Sequence, residues 1–318
     1  MKITVSAPGK IHLLGEHSVV YGKPALLASI DRRLFVTLES PHHTQEKIVI
    51  HSAAGKTQII QALTLFQNAF KITDLPPMEI SVTSSLPVGR GLGSSAALAV
   101  SLMGALLKYV KNLWNPQKIN ELAYAMEKIQ HGNPSGGDNT VVCFGGLVWY
   151  RKETDFLKSL WNLPIKSYHI PKFLLMDTGK PVETTGEMVA SVGNLCNQRK
   201  SFVDDIFNDQ EFQTKQLLSA LKSGDTDKVM ETIRIGEGNL EKIGVVGTRA
   251  QKIIGEIETS GGVAKICGAG GFKKGSGMIL SYHPKINKLR EVAKLNSVKT
   301  YPIRFEDEGV RIEHQETI

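Results

Sequence analysis

Residues 89–97, Gly-Arg-Gly-Leu-Gly-Ser-Ser-Ala-Ala, combine the residue types that hold phosphate. Gly89, Gly91 and Gly93 carry no Cβ, so their backbone N–H groups can approach an anion closely. The apolar helix predicted to follow adds unpaired N–H donors and a partial positive end. The hydroxyls of Ser94 and Ser95 can hydrogen-bond to phosphate or complete the oxygen shell of a metal. Arg90, Leu92 and Ala96 belong to the same cradle. Taken alone, the run also satisfies a tight turn with an N-cap. Two carboxylates feed the next loop: Glu127, in the last turn of a predicted helix, and Asp138, among glycines. Phosphoryl transfer needs Mg²⁺ held by one or two carboxylates plus phosphate oxygens, and gains from a carboxylate facing the attacking hydroxyl. Glu127 suits the first task and Asp138 the second, although lone acids of this kind are more often surface or capping residues.

A third group lies near the N-terminus, where Lys10, Glu16 and His17 follow Pro8–Gly9. Lys10 is a point charge suited to phosphate or to a neighbouring carboxylate. Glu16 can hold a substrate hydroxyl, and His17 can hydrogen-bond a small acid. His131 reads as structural, at a helix C-terminus. A second glycine cluster, GAGGFKKGSG at 268–277, brings Gly270 and can close over a ligand or simply connect strands. Competing devices are missing. The sequence has no G-x-x-x-x-G-K-[ST] segment, no D-F-G, no H-E-x-x-H and no G-x-S-x-G, and the 89–93 run lacks the third glycine of G-x-G-x-x-G.

These groups need elements to hold them. Residues 3–7 alternate as a strand, and Pro8–Gly9 predicts a turn after it. Strands are expected at 30–39, 47–51 and 78–83, with a helix over 56–71 whose Ile59, Ile60, Leu63, Phe66 and Phe70 share one face. Ser94 or Ser95 should cap a helix to about Lys111, apolar nearly all round and therefore internal. Asn115–Pro116 opens another helix to about Gln130, residues 131–140 read as loop, and 141–150 as paired strands around Gly145–Gly146. After a join at 155–171, a strand is expected at 172–176. Helical patterns follow near 185–208, 213–222 and 239–259, and strands at 263–267, 277–282 and 298–305. Strands and helices mixed in both halves predict an α+β fold in two domains, 1–167 and 168–318.

The composition fits this reading. The chain has 318 residues, 41% hydrophobic and 22% charged, with a net charge of +7. The basic residues are scattered, which argues for an anionic metabolite and against nucleic acid. No apolar run reaches bilayer length and no export signal is read at MKITVSAPGK, so a cytoplasmic protein is expected, with no membrane partner. Three widely spaced cysteines, Cys143, Cys196 and Cys267, fit a reducing compartment.

Four segments in order carry a resemblance: PGKIHLLGEHSVVYGKPAL (8–26), LPVGRGLGSSAALA (86–99), HGNPSGGDNTV (131–141) and KICGAGG (265–271). Together the chain resembles the GHMP kinase superfamily, and within it the mevalonate kinases. That resemblance implies an N-terminal ribosomal-protein-S5-domain-2-like domain, a C-terminal ferredoxin-like domain and an active site between them. It implies Mg²⁺-ATP-dependent phosphoryl transfer to the 5-hydroxyl of mevalonate in isoprenoid biosynthesis. The alternative is a kinase of the same superfamily acting on phosphomevalonate, homoserine or a sugar derivative. The 89–96 loop would wrap ATP, Ser94 or Ser95 with Glu127 would hold Mg²⁺, and Asp138 would be the base with Lys10 as its partner. Glu16, His17, Thr185 of VETTGEMV and Gly270 would face the substrate. Some members form dimers, so a homodimer is among the assemblies the resemblance allows. Three departures from the pattern are Arg90 in place of a small residue, Gly137 in place of Ile or Val before the base, and FKKGSG after the second glycine cluster. Gly137 is expected to enlarge the acceptor pocket, and Lys273 and Lys274 to add charge near phosphate.

Overall fold

The computed structural model describes residues 1–41, 47–52, 55–132 and 134–316. Asn133, within the predicted 131–140 loop, lies outside them. Strand β1 (Lys2–Leu14) runs without a break through Pro8–Gly9, where a turn is expected. Its register against β2 (Pro24–Glu39) shifts between Pro8 and Gly9, so the residue without an N–H falls at an irregularity of the ladder. β2 is long enough for two partners besides β1. β4 (Met78–Ser84) pairs with its second half and β5 (Leu147–Lys152) with its first. β3 (Ile48–His51) lies parallel to β4, and α1 (Lys56–Phe70) supplies the crossover that parallel neighbours require. β6 (Lys158–Leu163) pairs with β5.

Three further helices complete this half: α2 (Ser94–Lys111), α3 (Pro116–His131) and α4 (Gly137–Phe144). Every residue of α2 from Ala96 to Leu107 is buried, as its uninterrupted apolar composition predicts. Its N-cap is Gly93, so Ser94 and Ser95 lie inside the first turn instead of capping it. α4 replaces the expected loop and strand over 137–144. Gly136 takes a left-handed backbone ahead of it, and Asp138 in the first turn favours a helix start.

The second half starts with β7 (Leu174–Asp177), followed by α5 (Thr185–Gln198), α6 (Lys200–Ser223), α7 (Thr226–Lys242) and α8 (Thr248–Thr259). β8 (Val263–Ile266), β9 (Met278–Tyr282), α9 (Ile286–Leu295) and β10 (Thr300–Pro302) follow. The sheet order is β10-β7-β9-β8, antiparallel throughout. The last strand, β11 (Arg311–Glu316), returns to pair with β1. Two hydrophobic cores form. Leu174 and Met176 of β7 join the core of α5–α9, whereas Leu175 between them joins the larger core of the first half. The period of two therefore gives the second sheet two buried faces and seats one half on the other. Among the described residues no helix is long and apolar enough to cross a membrane. The three cysteines are free, and burial pushes the thiols of Cys143 and Cys267 up to about 12.

Candidate active site

The two glycine clusters meet. A Cβ built on Gly268 would lie 3.0 Å from the Cα of Gly91, which itself has φ +83°, so glycine at both positions favours this approach of backbones. Arg90 ties the loop to the second sheet: its guanidinium pairs with Asp177 at the end of β7, and its carbonyl accepts from Met278 N at 2.9 Å. Between the halves lies a cleft of about 640 Å³. Gly89, Gly91, Gly93, Ser94, Ser95 and Ala96 line it, whereas Arg90 and the buried Leu92 do not.

Lys10 reaches the cleft by crossing Gly93, where a Cβ would lie 2.6 Å from Lys10 Cγ; Gly93 also has φ +73°. The lysine Nζ is 2.9 Å from Asp138 Oδ2, and His12 Nε2 donates to Asp138 Oδ1 at 2.9 Å. Burial acts to raise the Asp138 pKa. The Lys10 charge and the His12 hydrogen bond outweigh it and hold the carboxyl well below the usual carboxylate range. The Asp138 side chain is 36% exposed, toward the cleft, and so remains ionised and accessible.

Also lining the cleft, Ser95 Oγ donates to Glu127 Oε1 at 2.6 Å, and His131 Nε2 lies 3.5 Å from Glu127 Oε2. Burial raises the Glu127 pKa against the opposing effects of His131 and Ser95. Ser94 Oγ faces the backbone N of Gly89 at 3.5 Å. No group of three or more His, Cys, Asp or Glu side chains among the described residues forms a metal cage. A carboxylate and a hydroxyl beside a glycine loop instead fit Mg²⁺, a hard cation that completes its shell with phosphate oxygens and water.

Beneath the cleft, Lys265 of β8 is fully buried. Its ammonium pairs with Glu16 Oε1 and donates to the His12 carbonyl at 3.2 Å. Glu16 Oε2 has no partner, and the residue lines the cleft. Glu237 of α7 accepts from Ile266 N at 3.1 Å, and its other oxygen is also without a partner. Burial pushes Glu237 up to about 8, with Lys265 opposing. The folded state therefore keeps a proton that the unfolded chain releases near roughly 4.3. This contribution to stability is complete below that value and is lost as pH rises toward 8. The variant Glu237→Gln should gain stability relative to the parent between pH 5.5 and pH 8, read as urea midpoints. A difference independent of pH would refute the assignment.

His17 donates from Nε2 to Ala269 O at 3.0 Å, and burial lowers its pKa, so it meets a ligand as a neutral ring. Thr185 opens α5 behind the N-cap Thr184, whose side chain forms a reciprocal capping box with Glu187. Thr185 and Gly270 both line the cleft. Lys273 and Lys274 are exposed outside it, whereas Lys180 lines the cleft beside the 89–97 loop, its Cε within touch of a Cβ built on Gly89. Gly137 does not open the pocket: Tyr150 and Leu27 occupy the space in front of it. Sequence reasoning missed His12, Lys180, Glu237 and the burial of Lys265. His12 alone carried a signal, two residues beyond Lys10 and thus on the same face of a strand.

Residues 57–146 match the family model described as GHMP kinases N terminal domain. A mevalonate kinase of Archaeoglobus fulgidus is 31% identical, over 97% of this chain and 99% of its own. The structure of L. major mevalonate kinase in complex with R-mevalonate superposes with a TM-score of 0.78 at 21% identity, covering 94% of both chains. That of Streptococcus pneumoniae phosphomevalonate kinase, in complex with phosphomevalonate and AMPPNP, gives 0.77 at 20% identity, covering 96% of this chain and 100% of that one.

Proposed function

The chain belongs to the mevalonate kinase family of GHMP kinases, and from that premise we propose that it transfers the γ-phosphoryl group of ATP to the 5-hydroxyl of mevalonate, giving 5-phosphomevalonate and ADP. The observation that carries the reading is one cleft lined by an ionised Asp138 on a buried lysine, by a Ser95–Glu127 pair and by two glycine loops that touch each other. Similarity to an archaeal mevalonate kinase over the whole of both chains supports the acceptor.

In this proposal the loop 89–96 receives the triphosphate on its backbone N–H groups, with Lys180 facing it from the second half. Ser95 and Glu127 would hold Mg²⁺, with Ser94 beside them. The ion supplies charge neutralisation on the β- and γ-phosphates. Asp138 accepts the proton of the acceptor hydroxyl as its oxygen bonds to phosphorus and ADP departs. Lys10 offsets charge at the base and on the reacting oxygens. Glu16, held by Lys265, and His17, which offers hydrogen bonding without charge, face the acceptor, and Thr185 and Gly270 complete its surroundings. We place the division between an ATP-binding N-terminal domain and a C-terminal domain at 167/168, and the enzyme in the cytoplasm.

The test is a coupled ADP-release assay across mevalonate, phosphomevalonate, homoserine and galactose, with and without Mg²⁺. Mevalonate is expected to exceed the others in kcat/KM by at least about 10³-fold, a margin typical of sites that hydrogen-bond the groups distinguishing their substrates, and only with Mg²⁺. Preference for another acceptor would replace mevalonate in this reading.

A further inference from the structure

We propose that His12 is a positioning residue for the phosphoryl transfer: with Lys10 it pins the Asp138 carboxylate in the orientation that receives the acceptor's proton. The inference rests on Asp138 being the base. Lys10 and His12 sit two residues apart on β1, so both side chains leave the same face of the strand. Each takes a different oxygen of Asp138, at 2.9 Å in both cases. The two donors are 3% and 7% exposed against 36% for the carboxylate, so they lie beneath it and leave its outer side to the cleft. A carboxylate oxygen carries two lone pairs, so each of these keeps one for the substrate.

Two donors accomplish what one cannot. The torsion that turns a carboxylate about its last bond is broad, and a single ion pair leaves it free to swivel. Donors on both oxygens fix the plane. The environment also selects the tautomer. His12 Nδ1 is buried without a partner. With the proton on Nε2, Nδ1 is a bare acceptor; the opposite tautomer would bury an unpaired N–H and turn a lone pair on the carboxylate. The charged groups around the ring are Lys10 on its own strand, Asp138 from α4, Glu16 beyond the strand end, and Lys265 of β8, which holds the His12 carbonyl. Burial and the Lys10 charge lower the His12 pKa, which keeps the ring neutral. Because Nδ1 leads to no further group, the proton stays on Asp138 and is not relayed.

Removing His12 has two opposed consequences. The carboxylate becomes more basic, which helps proton transfer, and it loses its fixed aim. In a loose phosphoryl-transfer transition state basicity carries little weight, whereas misplacement by about 1 Å can cost about 10²-fold. Positioning therefore wins. His12→Leu is expected to lower kcat by about 10- to 100-fold with KM for ATP unchanged. His12→Gln, whose amide nitrogen reaches the Nε2 position, should restore most of it. ¹⁵N NMR of the unliganded parent protein should show a neutral His12 protonated on Nε2. A wild-type kcat in His12→Leu, absence of rescue in a folded His12→Gln, or an Nδ1-protonated or charged ring would each overturn the proposal. If His12→Leu does not fold, the glutamine variant and the tautomer decide. Parent protein inactive on mevalonate would instead overturn the acceptor reading, and the tautomer measurement would still test the hydrogen bond.

Discussion

Asp138→Asn is expected to lower kcat on mevalonate by about 10³-fold, within the range that a positioned acid–base group supplies, while ATP binding persists. The asparagine keeps the shape of the side chain and can still meet His12 or Lys10 with its carbonyl oxygen, but it cannot take a proton. The loop proposed to hold the nucleotide lies on other elements, the turn before α2 and the first turn of that helix. Steady-state kinetics on mevalonate and calorimetric titration with an ATP analogue separate the two effects. Turnover within a few-fold of the parent would end the assignment of Asp138 as base. Loss of nucleotide binding and of thermal stability together would indicate that the variant merely unfolds, and Asp138→Glu, which retains a carboxylate on a longer stem, would then test the need for accurate placement.

Lys265→Met is expected to destabilise the fold by about 3–5 kcal/mol, the usual consequence of removing one partner of a buried ion pair. Lys265 is 0% exposed and Glu16 2%, so water cannot replace the lost ammonium. Methionine fills a similar volume, which leaves the uncompensated carboxylate as the main cost. Adding Glu16→Gln to Lys265→Met should therefore recover much of the loss. Urea denaturation of the two single variants and the double variant forms the required cycle. Additive single effects would mean that the pair is not coupled. Lys265 also holds the carbonyl of His12, so the destabilised variant should lose kcat even where it remains folded.

Much of the site was legible because its chemistry requires particular residue types in short segments. Glycines at 89, 91 and 93, the serine pair, and the acids at 127 and 138 each announce a local task, and their order along the chain carries the family resemblance. The mixture of strand and helix periods in both halves was equally legible, as was the buried α2, whose apolar surface has no polar side to face water. Arg90 looked like part of the phosphate cradle because its neighbours are glycines. Its side chain instead reaches Asp177, a partner 87 positions away. Gly137 looked like a vacancy, but Tyr150 fills the adjoining space.

Local residue types and periodicities thus carried the α+β class, the glycine loop proposed to hold phosphate and the acids proposed to act beside it, because glycine torsions, helix starts and side-chain alternation act over a few residues. Long-range packing settled the rest. It made Pro8–Gly9 an irregularity inside one strand, wound 137–144 into a helix that delivers Asp138, and brought β11 back to β1. It also set His12 against Asp138, across 126 positions of chain, and Lys265 against Glu16, across 249. Such pairings depend on which charges distant elements bring together, β1 and α4 within the first half for His12 and Asp138, and the closing of the two halves for Lys265 and Glu16.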